Sequence, residues 1–106
     1  MPESLIGQGE FFALIAKGES MVDAGIHPGD YVVIRKQSTA EIGDIIVALD
    51  QGVNNLKVLG YNKKRERYFL RSCNEDRERY RDIYPEKLQI QGVAVCVTHK
   101  LLKINI

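Results

Sequence analysis

A serine placed at a turn after an apolar run can serve as a nucleophile. Ser20, in Gly18-Glu19-Ser20-Met21, follows Phe11-Phe12-Ala13-Leu14-Ile15-Ala16 in that way. Glycine permits a sharp reversal, which lifts the hydroxyl out of a sheet and leaves neighbouring backbone N–H groups to bind an oxyanion. A serine also needs a base. Lys57, in Val53-Asn54-Asn55-Leu56-Lys57-Val58-Leu59, is a lysine flanked by apolar residues. Burial disfavours the charged ammonium; from about 10.4, a fall of roughly three units costs about 4 kcal/mol and gives a base that works near neutrality. A neutral lysine in reach of a serine makes a Ser-Lys nucleophile–base pair. Each residue alone has a plainer reading, Ser20 as a turn or cap residue and Lys57 as a solvent-facing strand residue.

Other chemistry finds less support. His27 precedes Pro28 in a turn, and His99 lies beside Lys100, without the spaced partners of a triad. Cys73 precedes a charged stretch, and Cys96 in Val93-Ala94-Val95-Cys96-Val97 reads as a small buried hydrophobe. The two cysteines and two histidines have no zinc-ligand spacing, and no glycine-rich loop leads from a strand into a long helix. No metal and no organic cofactor is expected.

The elements that must position Ser20 and Lys57 are short. Tyr31-Val32-Val33-Ile34, Asp44 to Leu49, Val53 to Leu59, Arg67 to Arg71 and Leu88 to Val97 join the first run as apolar stretches rich in Val, Ile, Tyr and Phe. Gly, Asn and Asp bound them, as expected of strands. The pattern predicts an all-β, strongly bent domain of about seven strands with one short helical turn around Met21 to Ala24. Asn62 to Arg67 reads as a solvated hairpin tip. Asn74 to Asp82, densely charged with both signs, reads as a solvent-facing connection, or alternatively as a partner surface. The 106 residues fit one domain, and 44% hydrophobic residues suffice for one core. A net charge of +1 argues against a dedicated binder of nucleic acid or anionic membranes. No apolar run approaches a bilayer span, and no signal peptide opens the chain, so a cytoplasmic setting is expected.

Gly18-Glu19-Ser20-Met21-Val22-Asp23-Ala24-Gly25-Ile26-His27-Pro28-Gly29-Asp30 closely resembles the nucleophile segment of the LexA-type self-cleaving repressors, the peptidase S24 family. Gly43-Asp44-Ile45-Ile46-Val47-Ala48, then Lys57, then Gly92-Val93-Ala94-Val95 continue the resemblance, which runs from Leu5 to about Val97. It implies Ser20 as nucleophile, Lys57 as general base, and the N–H groups of Glu19 and Ser20 as oxyanion hole. Gly18, Met21, Leu56 and Val58 would surround the pair. Asp23 and Asp30 would shape turns. Asn54 and Asn55 stand where the family usually has an apolar residue and a Thr.

The resemblance also implies a reaction and partners. One peptide bond in the same chain, commonly Ala-Gly, would be cut when a RecA filament on single-stranded DNA stimulates the domain. The cut would end repression in the DNA-damage (SOS) response. The family's bond lies well upstream of its nucleophile, and no Ala-Gly pair precedes Ser20. Residues 1–10 are accordingly expected to be a lead-in arm and residues 11–106 the self-cleavage and dimerisation domain. The cleavage site and an N-terminal DNA-binding domain would lie outside this sequence, so operator DNA would be reached only through that other domain. A homodimer is expected through Gly92 to Leu102. A UmuD-like polymerase accessory factor, a phage repressor domain or a non-catalytic β dimerisation module are the other readings.

Overall fold

The computed structural model describes residues 9–99. Six strands form one antiparallel sheet in the order β1-β2-β6-β3-β4-β5. They are β1 (Phe11–Ile15), β2 (Tyr31–Lys36), β3 (Ile45–Asp50), β4 (Val53–Asn62), β5 (Arg67–Arg71) and β6 (Gln89–Thr98). The only helical element among the described residues is a 3-10 turn at Val22–Ala24, inside the Met21 to Ala24 stretch where one was expected. The all-β expectation holds, with six strands among the described residues where about seven were expected of the chain. Between β5 and β6 the chain makes only one isolated bridge, Leu70 to Ile83, because its charged residues build a connection and not a ladder.

The core lies on both faces of the sheet. Met21, Ile26, Val32, Ile34, Val47 and Ala16 form one cluster, and Ile46, Ala48, Leu59 and Leu70 form the other. Strand β3 feeds both, Val47 to the first and Ile46 with Ala48 to the second, so its sequence is continuously apolar instead of alternating. The bend comes from β6. Its pairing with β2 skips Val95 and its pairing with β3 skips Gln91. Each extra residue adds local twist and bends the strand.

Gly92 lies between these bulges, buried where β6 crosses β2. A Cβ there would come within 2.4 Å of the Arg35 carbonyl oxygen and of the Ile34 side chain. The backbone cannot yield without breaking the β2–β6 ladder. Gly92→Ala is therefore expected to cost about 2 kcal/mol and to lower Tm by roughly 10 °C. Thermal unfolding followed by circular dichroism checks this; an unchanged Tm would mean that the strands are not closed at this point.

Strand β6 pairs with β2 along Gly92–Thr98 but with β3 only along Gln89–Val93, so residues 94–98 keep one backbone edge unpaired among the described residues. The rest of the stretch expected to dimerise, residues 100–102, lies outside the described residues, as do residues 1–8 of the lead-in arm. Among the described residues no helix is long and apolar enough to cross a membrane.

Candidate active site

Ser20 stands on a turn that is fixed from three sides. After β1, Ala16 donates to the Asp30 carbonyl (2.8 Å) and accepts from Gly29 (2.9 Å), which ties the strand end to the 27–30 turn. Gly18, at φ +70°, then reverses the chain in a conformation that L-residues rarely adopt. The 3-10 turn follows, with Val22 N–H donating to the Glu19 carbonyl at 3.3 Å. The same carbonyl accepts the Asn74 side-chain amide at 2.8 Å, and Asp23 N–H donates to the Cys73 carbonyl at 2.9 Å. Among the described residues, nothing accepts the N–H of Glu19 or of Ser20.

Lys57 reaches this turn from β4. Its Nζ lies 3.0 Å from Ser20 Oγ and donates to it. The residues on either side of the lysine anchor the strand, since Leu56 and Val58 pack on one core cluster while Leu59 is buried in the other. Met21, only 3% exposed, packs in the first cluster directly beside Ser20. Burial pushes the Lys57 ammonium below its ordinary value of 10.5. Among the described residues no carboxylate forms an ion pair with it to restore the charge.

The pair sits where two grooves meet. The first, about 390 Å³, runs between the end of β1 and the first half of β4, with Leu14, Ile15, Met21, Val47 and Leu56 as its apolar walls. The second, about 660 Å³, shares Lys17, Ser20, Asn55 and Lys57 with the first and is otherwise lined by Gly18, Glu19, Ser72 and residues 78–83. Among the described residues, both strands offer free backbone to the first groove. β1 is the edge of the sheet, and β4 pairs with β5 only from Val58 onward, so residues 53–57 are bonded on the β3 side alone.

Of the residues singled out from sequence, the structure brings together Ser20, Lys57, Gly18, Glu19, Met21 and Leu56 around these grooves. Val58 supports the strand from the core and lines neither groove. Asp30 shapes its turn as expected. It is buried, and its carboxylate accepts the His27 N–H at 2.8 Å and lies 2.8 Å from His99 Nδ1. The His27 bond first, and then His99, hold it below the usual carboxylate range against the opposing effect of burial. Asp23 makes no such side-chain bond among the described residues; its N–H does the anchoring. Cys96 is half-buried, not fully buried, because it lies on the stretch of β6 with one open edge. In the sequence, Asn74 and the loop after it read as a solvent-facing connection or a partner surface, and not as part of a site with Ser20. Asn74 Oδ1 accepts the Asp76 N–H at 2.9 Å, a local turn the sequence permits but does not connect to a residue so distant in the chain.

The chain matches the family described as Peptidase S24-like over residues 1–95. It is similar to the LexA repressor of Syntrophotalea carbinolica, 38% identical over 97 residues that make up 92% of this chain and 47% of that protein. It is also similar to the LexA repressor of Novosphingobium aromaticivorans, 41% identical over 93 residues, 87% of this chain and 38% of that protein. The chain thus spans less than half the length of these relatives.

Proposed function

The chain belongs to the peptidase S24-like family, and from that premise we propose that it is the self-cleaving domain of a LexA-like transcriptional repressor, with Ser20 as nucleophile and Lys57 as general base. The observation that carries this reading is the 3.0 Å contact between Lys57 Nζ and Ser20 Oγ in a groove that lowers the lysine pKa.

The reaction is hydrolysis of one peptide bond. Neutral Lys57 takes the proton of the Ser20 hydroxyl, and the oxygen attacks the carbonyl carbon of the bond. The free N–H groups of Glu19 and Ser20 are suited to hold the resulting oxyanion. The charged ammonium of Lys57 then protonates the leaving amine as the C–N bond breaks. Water, deprotonated by the again-neutral Lys57, releases the acyl group from Ser20. The free edges of β1 and of residues 53–57 suit a substrate in extended conformation, which would add its own backbone hydrogen bonds to the groove.

In this reading the bond belongs to the same polypeptide, upstream of the domain, and cleavage separates a DNA-binding half from a dimerising half. Linked half-site readers then become independent, and operator affinity falls. A RecA filament on single-stranded DNA would favour the docked state of the cleaved segment, through its differential affinity for docked and undocked forms. The unpaired edge of residues 94–98 is where a symmetric partner would add.

A peptide carrying an Ala-Gly bond, supplied in trans at about pH 9 where more of the lysine is neutral, tests the reaction. Mass spectrometry is expected to show one cut and an acyl adduct on Ser20; an uncut peptide after prolonged incubation argues against hydrolysis. Asn74→Ala is expected to lower the cleavage rate about tenfold, because the Glu19 carbonyl loses a partner and the turn carrying Ser20 loosens. The pH dependence should keep its shape, since Lys57 is untouched. A shifted pH dependence would mean that Asn74 acts on the lysine instead.

A further inference from the structure

We propose that the second groove selects acidic residues on one flank of the segment that is cut, through the guanidinium groups of Arg79 and Arg81. The inference rests on the hydrolytic reading above and adds the chemistry of the substrate.

The second groove and the smaller cavity beyond it share Tyr80, Arg81 and Asp82. Along their joint wall stand the cations Lys17, Arg71, Arg77, Arg79 and Arg81, facing the carboxylates Glu19, Glu78 and Asp82. Lys57 adds no charge when neutral. The availability of these groups differs. Asp82 is committed to Arg71, which donates from Nε at 2.9 Å and from Nη2 at 2.7 Å. That bidentate pair holds Asp82 below the usual carboxylate range, so it stays charged and occupied. Arg77 donates Nη1 to the Ser72 carbonyl at 3.1 Å.

Three cations remain uncommitted among the described residues: Lys17, which lines both grooves, and two arginines that line only the second. Arg79 lies over the Tyr80 ring, 5.4 Å from its centroid, which leaves its N–H edge open. Arg81 is exposed and makes no hydrogen bond or ion pair among the described residues. A guanidinium fork matches a carboxylate in shape and charge, and it repels an ammonium. Glu19 and Glu78 stand on the same wall, so the selectivity is moderate in size, but they do not cancel it. The first groove has apolar walls by contrast, with Lys17 as its one cation besides Lys57. A segment lying across Ser20 therefore meets an apolar surface on one side; on the other it meets a wall where the second groove and the cavity that shares its residues together carry Lys17, Arg71, Arg77, Arg79 and Arg81 against Glu19, Glu78 and Asp82. The favoured substrate is apolar on one flank of the bond and acidic on the other.

Binding to the Ser20→Ala chain tests this without turnover. Four fluorescein-labelled peptides share an Ala-Gly core and carry Glu-Glu or Lys-Lys either before or after it. On one flank the acidic peptide is expected to bind about three- to tenfold more tightly than its lysine counterpart at low salt. The difference should shrink at about 0.5 M salt, where exposed charges are screened. Arg79→Glu with Arg81→Glu should reverse the order, and Arg65→Glu, in the β4–β5 tip, should leave it unchanged. Equal binding on both flanks, no binding by any peptide, or a preference that survives the double reversal overturns the inference. The unmodified chain separates the two readings. Peptides cut without charge preference would leave the dyad standing and remove this inference, whereas a clear binding preference with no cutting would do the opposite.

Discussion

Ser20→Ala is expected to lower the cleavage rate at least about 10⁴-fold, and Lys57→Arg to do the same although it keeps a cation at the site. The two substitutions remove different halves of one act. Without Oγ there is nothing to acylate. In Lys57→Arg the hydroxyl remains, but a guanidinium does not give up its proton in this pH range and cannot take the serine's. Because nucleophile and base work as a unit, the double variant should be no slower than either single one. Both positions can change without unfolding the chain: Ser20 lies on a turn held by backbone bonds of its neighbours, and Lys57 contributes its charge-bearing tip to a groove and not to a core cluster. Single-turnover cleavage read by mass spectrometry, with circular dichroism for the fold, decides the matter. Undiminished cleavage in Ser20→Ala would leave the chain as a β dimerisation module with some other source of the cut.

The turn that carries Ser20 was legible because its signals are local. Gly18 needs a positive φ, Asp30 folds back on His27, and apolar runs flank both. Five of the strands follow directly from those runs, and β3 is legible as an element even though its two-sided burial erases alternation. The bend was visible only as an expectation, because the bulges at Val95 and Gln91 depend on which residues face them across the sheet. Non-local relations were the least legible. Nothing around Lys57 announces that β5 stops pairing before it and leaves its strand edge open to a groove. The stretch 74–82 reads as a solvated charged loop because charge density alone records no neighbours. In the fold, Asn74 clamps the Glu19 carbonyl, and Arg79 and Arg81 wall the second groove. Apolar runs located the core, although Ile15, Ile42 and Val53 are exposed and Asp30 and Ser72 buried, and composition could not separate a surface loop from one lying over a site.

The cleavage rate is expected to climb with pH, about tenfold per unit, until Lys57 is mostly neutral, and then to level off. The sign follows from the proposed reaction, in which the uncharged amine is the active form. Burial holds the lysine below 10.5, so the plateau should begin below that pH. A background reaction driven by hydroxide would keep rising, and subtracting the Ser20→Ala rate removes it. The same shift has a cost in stability. Between the folded pKa and 10.5 the unfolded chain binds more protons than the folded one, so stability rises with pH across that window. Below the window the desolvated ammonium destabilises the fold by its full amount. Lys57→Met, which fills the groove without a charge, should therefore be inactive yet more stable than the unmodified chain near neutral pH. That advantage should start to shrink at the pH where the rate levels off and should vanish near 10.5. Denaturant unfolding at a series of pH values measures it independently of any substrate. An advantage that stayed constant with pH would show that the lysine titrates alike in folded and unfolded chains, and a base with no lowered pKa could not drive the reaction near neutrality.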